Sequence, residues 1–94
     1  MKMPGNNVTY SIEYLTSVVD KDIQKLPTTA KKMIKKAIEE RLTFDPLGFG
    51  KPLRYSLKGL RRLRVGDYRI VYHIDTENTC VTITAIKHHK DIYE

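Results

Sequence analysis

Apolar and polar residues alternate over residues 8–14 (Val-Thr-Tyr-Ser-Ile-Glu-Tyr), the period-two pattern of a strand buried on one face. The period then changes. Leu15, Val18, Val19, Ile23 and Leu26 recur at helical spacing; Thr16 or Ser17 is placed to cap the start, and Pro27 breaks the run. A second helix follows, capped by Thr28 or Thr29. Its apolar face is Ala30, Met33, Ile34, Ala37, Ile38 and Leu42, with Lys31, Lys32, Lys35, Lys36, Glu39 and Glu40 largely off it. The very short turn at Pro27 predicts an antiparallel helical hairpin whose lysines form a solvated face. Residues 45–52 hold Pro46, Gly48, Gly50 and Pro52 and read as a loop. Three strands are expected beyond it, at 60–65, 68–74 and 80–87, with residues 53–56 as a short edge piece. The order predicts an α+β domain: an N-terminal strand, a helical hairpin, then a mostly antiparallel sheet packed against the helices and open on its other face.

Turn chemistry fixes the hairpin register. With Gly66 and Asp67 as the two loop residues, glycine first, Val65 pairs with Tyr68, Arg64 with Arg69, Leu63 with Ile70 and Arg62 with Val71. Alternation then puts Leu63, Val65, Tyr68, Ile70 and Tyr72 on one face, the expected core, and Arg62, Arg64, Arg69, Val71 and His73 on the other. Arginines directly opposite on adjacent strands repel. Three on one face call either for an acid from a neighbouring element or for an anion from outside. Guanidinium groups bind phosphate through paired donors, and no acid occurs between Lys51 and Asp67, which favours the phosphate.

Charge sharpens this picture. The chain carries +6 overall, and residues 51–72 alone hold seven basic residues (Lys51, Arg54, Lys58, Arg61, Arg62, Arg64, Arg69) against one acid, Asp67, an excess equal to that of the whole chain. Such concentration points to a polyanion or an acidic protein partner. Ninety-four residues make one domain, 1–94. No apolar run reaches the length of a membrane span, and residues 1–7 lack the apolar stretch of a signal peptide, so no membrane partner and a cytoplasmic location are expected. The single cysteine, Cys80, lies in an apolar-alternating run and reads as a small strand hydrophobe. No Cys/His cluster has zinc spacing, and no glycine-rich nucleotide motif or serine-hydrolase elbow is present; neither metal nor cofactor is expected. The end of the chain, residues 87–94 (Lys-His-His-Lys-Asp-Ile-Tyr-Glu), gathers groups suited to proton transfer.

Two stretches resemble a known pattern. Pro52-Leu53 followed by Leu57-Lys58-Gly59-Leu60-Arg61-Arg62-Leu63-Arg64-Val65-Gly66-Asp67-Tyr68-Arg69-Ile70-Val71-Tyr72 resembles the core signature of RelE/ParE toxins. The ending Lys87-His88-His89-Lys90-Asp91-Ile92-Tyr93 resembles that superfamily's Gly-His-Arg-x-x-Val-Tyr tail. The resemblance covers essentially the whole chain. It implies a toxin of a type II toxin–antitoxin pair, of RelE type: a ribosome-dependent endoribonuclease, or mRNA interferase, that cuts messenger RNA in the ribosomal decoding site. There the ribose 2′-hydroxyl attacks the adjacent phosphate without a metal. Its partners are a RelB-like antitoxin and messenger RNA. It puts Arg62 and Arg64 where that lineage carries basic residues, Arg69 on its hairpin arginine, His89 on its tail arginine and Tyr93 on its terminal tyrosine; His88 matches a histidine of related members. The expected catalytic set is therefore Arg62, Arg64, Arg69, His88, His89 and Tyr93, with Lys51, Arg54, Lys58 and Arg61 binding RNA. His89 and Lys87 depart from the usual arginine and glycine, which shifts the chemistry toward histidine or weakens it. The competing reading is a ParE-like inhibitor of DNA gyrase, or a degenerate toxin that only binds its antitoxin.

Overall fold

The computed structural model describes residues 8–54 and 59–91. Five strands form one sheet: β1 (Ser11–Tyr14), β2 (Lys51–Pro52), β3 (Arg61–Val65), β4 (Tyr68–Asp75) and β5 (Cys80–His88), in the order β1-β5-β4-β3-β2. Only β1 with β5 is parallel; the other three pairings are antiparallel. The β3–β4 register is the one that Gly66-Asp67 predicts, with Val65 opposite Tyr68, Arg64 opposite Arg69, Leu63 opposite Ile70 and Arg62 opposite Val71. Gly66 has φ +58°, the left-handed value that a tight hairpin wants at its first loop residue.

Helices cover one face of this sheet. Helix α1 (Thr28–Ala37) runs on into a wider, π-type turn (Ile38–Leu42). Ala30, Ile34, Ala37, Ile38 and Leu42 bury against Leu63, Val65, Ile70, Tyr72, Val81, Ile83 and Ile86. Met33, expected on the apolar face, sits at its margin, 42% exposed and beside Gly66. The first helical segment starts at residues 16–17, widens into a π-type stretch (Val18–Asp22) and closes in turns through residues 23–25, where Leu26 N donates to Ile23 O at 3.0 Å. Val18 and Leu26 are buried and Ile23 packs against the core, whereas Leu15 and Val19 stay exposed; with α1 after Pro27 the segment makes the expected helical hairpin.

Asp22 fastens this segment to the sheet. It is the one buried charged side chain of the described residues. Strand β1 pairs with β5 only as far as Ile83, which leaves the edge of β5 open beyond it. Asp22 Oδ2 accepts the backbone N–H of Ile86 at 2.8 Å, and Oδ1 lies 3.3 Å from Lys87 Nζ. A carboxylate thus takes over where the neighbouring strand ends, satisfying a buried donor that would otherwise be costly.

Residues 45–52 are less irregular than their prolines and glycines predict. They form a four-residue helix, α2 (Pro46–Phe49), and the edge strand β2 (Lys51–Pro52); of the edge piece expected at residues 53–56, Leu53 and Arg54 are not in a strand and the rest lies outside the described residues. Asp45 caps α2, accepting from Gly48 N at 3.0 Å, with Pro46 in the first helical position, which tolerates its missing N–H. The core anchors this helix from below. The Tyr72 hydroxyl donates to Pro46 O at 2.6 Å, and Arg61 Nη2 donates to Leu47 O at 2.8 Å and Gly50 O at 2.9 Å. Gly50 is required here because a Cβ would overlap the Tyr72 hydroxyl.

Strand β5 carries a bulge. Val71 pairs with Ala85 but Tyr72 pairs with Ile83, so Thr84 is the extra residue, its hydroxyl donating to Val71 O at 3.2 Å. The bulge lets Ile83 and Ile86 both bury although they are three residues apart. It also resets the alternation downstream, sending Lys87 to the open face and His88 to the helix side.

The Tyr72 anchor gives a stability prediction. Tyr72→Phe leaves the Pro46 carbonyl without its donor and should destabilise the fold by about 1–3 kcal/mol in urea unfolding. Burial pushes the Tyr72 phenol up, with Arg61 opposing the shift. A folded-state pKa above the unfolded value of about 10 contributes stability that is complete below pH ~10 and is lost as pH rises through the raised value. The alkaline fall in stability should be shallower in Tyr72→Phe than in the wild type, the remainder coming from Tyr14, which burial and Glu39 also raise.

Candidate functional site

The face of the sheet away from the helices is cationic. In one row across β3, β4 and β5 stand Arg64, Arg69 and Lys87; in the next, across β2 and β3, stand Lys51 and Arg62, followed by Val71 and Ala85. Neighbouring strands lie about 4.8 Å apart, so five cationic side chains rise from four adjacent strands. Two clefts open among them. The larger, about 800 Å³, is lined by Lys51, Pro52, Leu53, Arg54, Arg62, Arg69, Val71 and Lys87. The smaller, about 310 Å³, is lined by Arg41, Phe49, Lys51, Arg62, Leu63, Arg64 and Arg69. No carboxylate lines either cleft among the described residues. An anion is the ligand such a surface favours, and guanidinium pairs match the oxygens of a phosphate.

Each expected site residue can now be placed. Arg62, Arg64 and Arg69 share the open face, as the register predicts, and Arg62 and Arg69 line both clefts. Arg64 is exposed, its Nε 3.4 Å from Gly66 O. Lys51 and Arg54 line the larger cleft. Lys87 joins that cleft while its ammonium is held by Asp22 at the sheet edge. Lys58 and Tyr93 lie outside the described residues.

Two expected site residues stand apart from the cationic face. Arg61 shares the core-side phase of Leu63 and Val65, and its Nη2 donates to the carbonyls that close α2. His88 is also separated from the arginines. The β5 bulge turns it to the helix side, opposite Tyr68, whose ring it meets edge-on with centroids 5.1 Å apart. There it lines a third cleft with Asp22, Lys25, Leu26, Pro27 and Lys87. His88 Nδ1 accepts from Lys90 N at 3.2 Å, leaving Nε2 to carry the proton of the neutral ring. His89 lines neither cationic cleft. Its N–H donates to Asp67 O at 2.7 Å, which ties the tail to the tip of the arginine hairpin, and its exposed ring stands 5.0 Å from that of His88.

Arg41 and Phe49 enter the smaller cleft unforeseen from sequence. Arg41 is hidden in a helix-face pattern. Phe49 did leave a signal, an aromatic inside a Pro/Gly stretch immediately before the basic run. Among the described residues no three His, Cys, Asp or Glu side chains converge as a metal site, and no helix is long and apolar enough to cross a membrane.

Comparison with known proteins agrees with this geometry. Residues 14–93 match the family model of the ParE toxin of the type II toxin–antitoxin system parDE. The chain is 37% identical over 84 residues to Toxin RelG of Mycobacterium tuberculosis, covering 89% of this chain and 95% of that one. Toxin RelE of the same organism is 38% identical over 72 residues, 77% of this chain and 74% of that one. Among solved structures, the toxin–antitoxin complex RelBE2 of M. tuberculosis superposes with a TM-score of 0.80 at 36% identity, over 89% of this chain and 95% of that chain. The RelE–RelB complex of Pyrococcus horikoshii, at 23% identity and a TM-score of 0.72 over 90% and 100% of the two chains, shares the fold. The sheet register, the cationic open face and these matches along nearly the full length converge on one assignment: the chain belongs to the RelE/ParE superfamily of type II toxin–antitoxin toxins, among its RelE-like members.

Proposed function

We propose that this toxin is a metal-free endoribonuclease that cuts messenger RNA in the ribosomal decoding site. The observation that carries the reading is the open sheet face, where Arg62, Arg64 and Arg69 stand beside Lys51 and Lys87 around clefts that no carboxylate of the described residues lines. Arginine stays protonated and is a poor base, so its part is to hold the scissile phosphate and stabilise the charge that develops on it. The 2′-hydroxyl gives its proton to a base and its oxygen bonds to phosphorus. The bond from phosphorus to the 5′-oxygen breaks, and that oxygen takes a proton from an acid. His89, tied to the arginine hairpin through Asp67, and Tyr93 are the groups assigned to proton transfer. His88, turned to the helix side, positions the tail.

A RelB-like antitoxin is the assigned partner; the M. tuberculosis relative of known structure was solved as a toxin–antitoxin complex. An apolar cleft of about 370 Å³, lined by Tyr14, Ile23, Leu26, Ile34, Ile38 and Ile86 and close to the exposed Leu15 and Val19, offers it a seat on the helical side. An acidic, partly disordered segment would fold there and reach the cationic face. Its affinity should fall with salt, but less steeply than for a purely electrostatic complex; a titration unchanged between low and high salt would remove the electrostatic half of this contact.

The match to a ParE family model favours a second reading, gyrase inhibition without cleavage. Mapping the ends of a messenger RNA incubated with the purified protein, with and without ribosomes, separates the two. The nuclease leaves a 2′,3′-cyclic phosphate and a 5′-hydroxyl. A 5′-phosphate would indicate water activated by a metal and defeat the mechanism, and intact RNA would leave gyrase inhibition or antitoxin binding alone.

Roles within the site are separable by kinetics. Arg69→Ala should slow single-turnover cleavage on programmed ribosomes on the order of 100-fold at every pH. Replacing a proton-transfer group should change the shape of the pH–rate profile as well as its height. Near-wild-type cleavage by Tyr93→Phe would take Tyr93 out of that role and leave His89.

A further inference from the structure

We propose that Phe49 is a nucleobase platform: in the smaller cleft a single-stranded nucleotide lays its base on the Phe49 ring while its phosphates rest on Arg41, Lys51, Arg62, Arg64 and Arg69. The inference rests on the reading of the open face as an RNA site and adds to it a residue that reads the base.

Phe49 is 46% exposed, an unfavourable place for a large apolar ring. Its exposure does not come from a loose loop. Helix α2 is held at both ends, by the Asp45 cap on Gly48 N, by the Tyr72 hydroxyl on Pro46 O and by the Arg61 guanidinium on Leu47 O and Gly50 O. The Phe49 N–H itself donates to Asp45 O at 3.1 Å. The ring is therefore presented from a fixed backbone, anchored to the core through a fully buried tyrosine.

Its company decides what it is presented to. Phe44 and Leu47, in the same stretch and more exposed, line neither cationic cleft. Phe49 alone of the three enters one, and there it meets five cations and, among the described residues, no acid. An apolar protein surface would bring no charge to match those cations. A nucleotide brings both halves, a π face for the ring and phosphate oxygens for the guanidiniums. Stacking of this kind accepts any base, so Phe49 adds affinity and fixes the base without selecting its identity.

The test measures binding of two short single-stranded ligands to the full chain at low salt: a 2′-O-methyl RNA, which cannot be cleaved, and an abasic oligonucleotide of the same length. Base–aromatic stacking contributes on the order of a 10-fold gain in affinity or more. Phe49→Ala should lose that factor on the RNA and nothing on the abasic strand. Phe49→Leu, which keeps apolar bulk without a π face, should behave like Phe49→Ala. Phe49→Trp should bind RNA at least as well as wild type. Because the chain has no tryptophan, the new indole is a single reporter, and its emission should fall on binding RNA but not on binding the abasic strand. Equal losses on both ligands would overturn the platform, as would RNA binding by Phe49→Ala that matches wild type. Restoration by Phe49→Leu would also overturn it, pointing to a protein-docking contact. Failure of the wild type to bind either ligand would instead refute the RNA reading of the face itself, and the platform with it. Unchanged thermal midpoints check that the variants remain folded.

Discussion

The phase of the β3–β4 hairpin is set at its tip, where Gly66 takes the left-handed conformation and closes a two-residue turn. Everything on either side of the sheet depends on that phase. Strand side chains alternate, so a slip of one residue would carry Leu63 and Ile70 into solvent and drive Arg62, Arg64 and Arg69 against the helices. The two faces have opposite effects on stability. Opposed cations about 5 Å apart repel by roughly 1 kcal/mol in water, whereas full burial of each large aliphatic side chain contributes about 1.5–3 kcal/mol. Burial therefore wins, and the open face can keep a cationic surface that would not hold itself together.

This explains what was legible in the sequence. The hairpin register follows from one dipeptide and local alternation, and the placement of Arg62, Arg64 and Arg69 follows from the register. Helix α1 is legible for a similar reason, since its apolar stripe from Ala30 to Leu42 is continuous. The less legible features are those where a distant group overrides a local pattern. Asp22 reads as a polar helix residue, yet it is buried because β1 ends too soon to cover Ile86. Arg61 sits in a basic run and looks like a binding residue, but its phase is that of the core and carbonyls of α2 take its donors. Helix α2 was hidden by its own prolines and glycines, although Asp45-Pro46 is a helix-start signal. Resemblance to the family tail groups His88 with the arginines, and a motif match does not register the bulge at Thr84 that turns it to the helix side.

The site draws its rigidity from the core that stabilises the fold. Tyr72 lies in β4 among the buried residues, and its hydroxyl fastens α2; α2 leads directly into Lys51 of β2, whose partner is Arg62. The wall of the cationic clefts is thus continuous with the centre of the hydrophobic core. Lys87 couples the other side, reaching from the open face to the carboxylate that caps the sheet edge. Anionic ligands approaching the face meet a row whose outermost member already has a partner, which limits the charge the row must hold when empty.

The extra residue in β5 has a consequence for how such a protein diversifies. Because Thr84 stands outside the pairing, deleting it would leave Ala85 opposite Val71 and every later pair unchanged, so Lys87 and His88 would keep their faces. Ironing the bulge out at constant length would instead exchange the surfaces on which Lys87 and His88 stand, while Arg64 and Arg69 kept their places, because their positions are decided by a different turn. A lineage could therefore vary the groups it offers for proton transfer independently of those it offers for phosphate, through strand geometry rather than residue type. Aligned by sequence alone, two such relatives would match a histidine that stands on opposite faces.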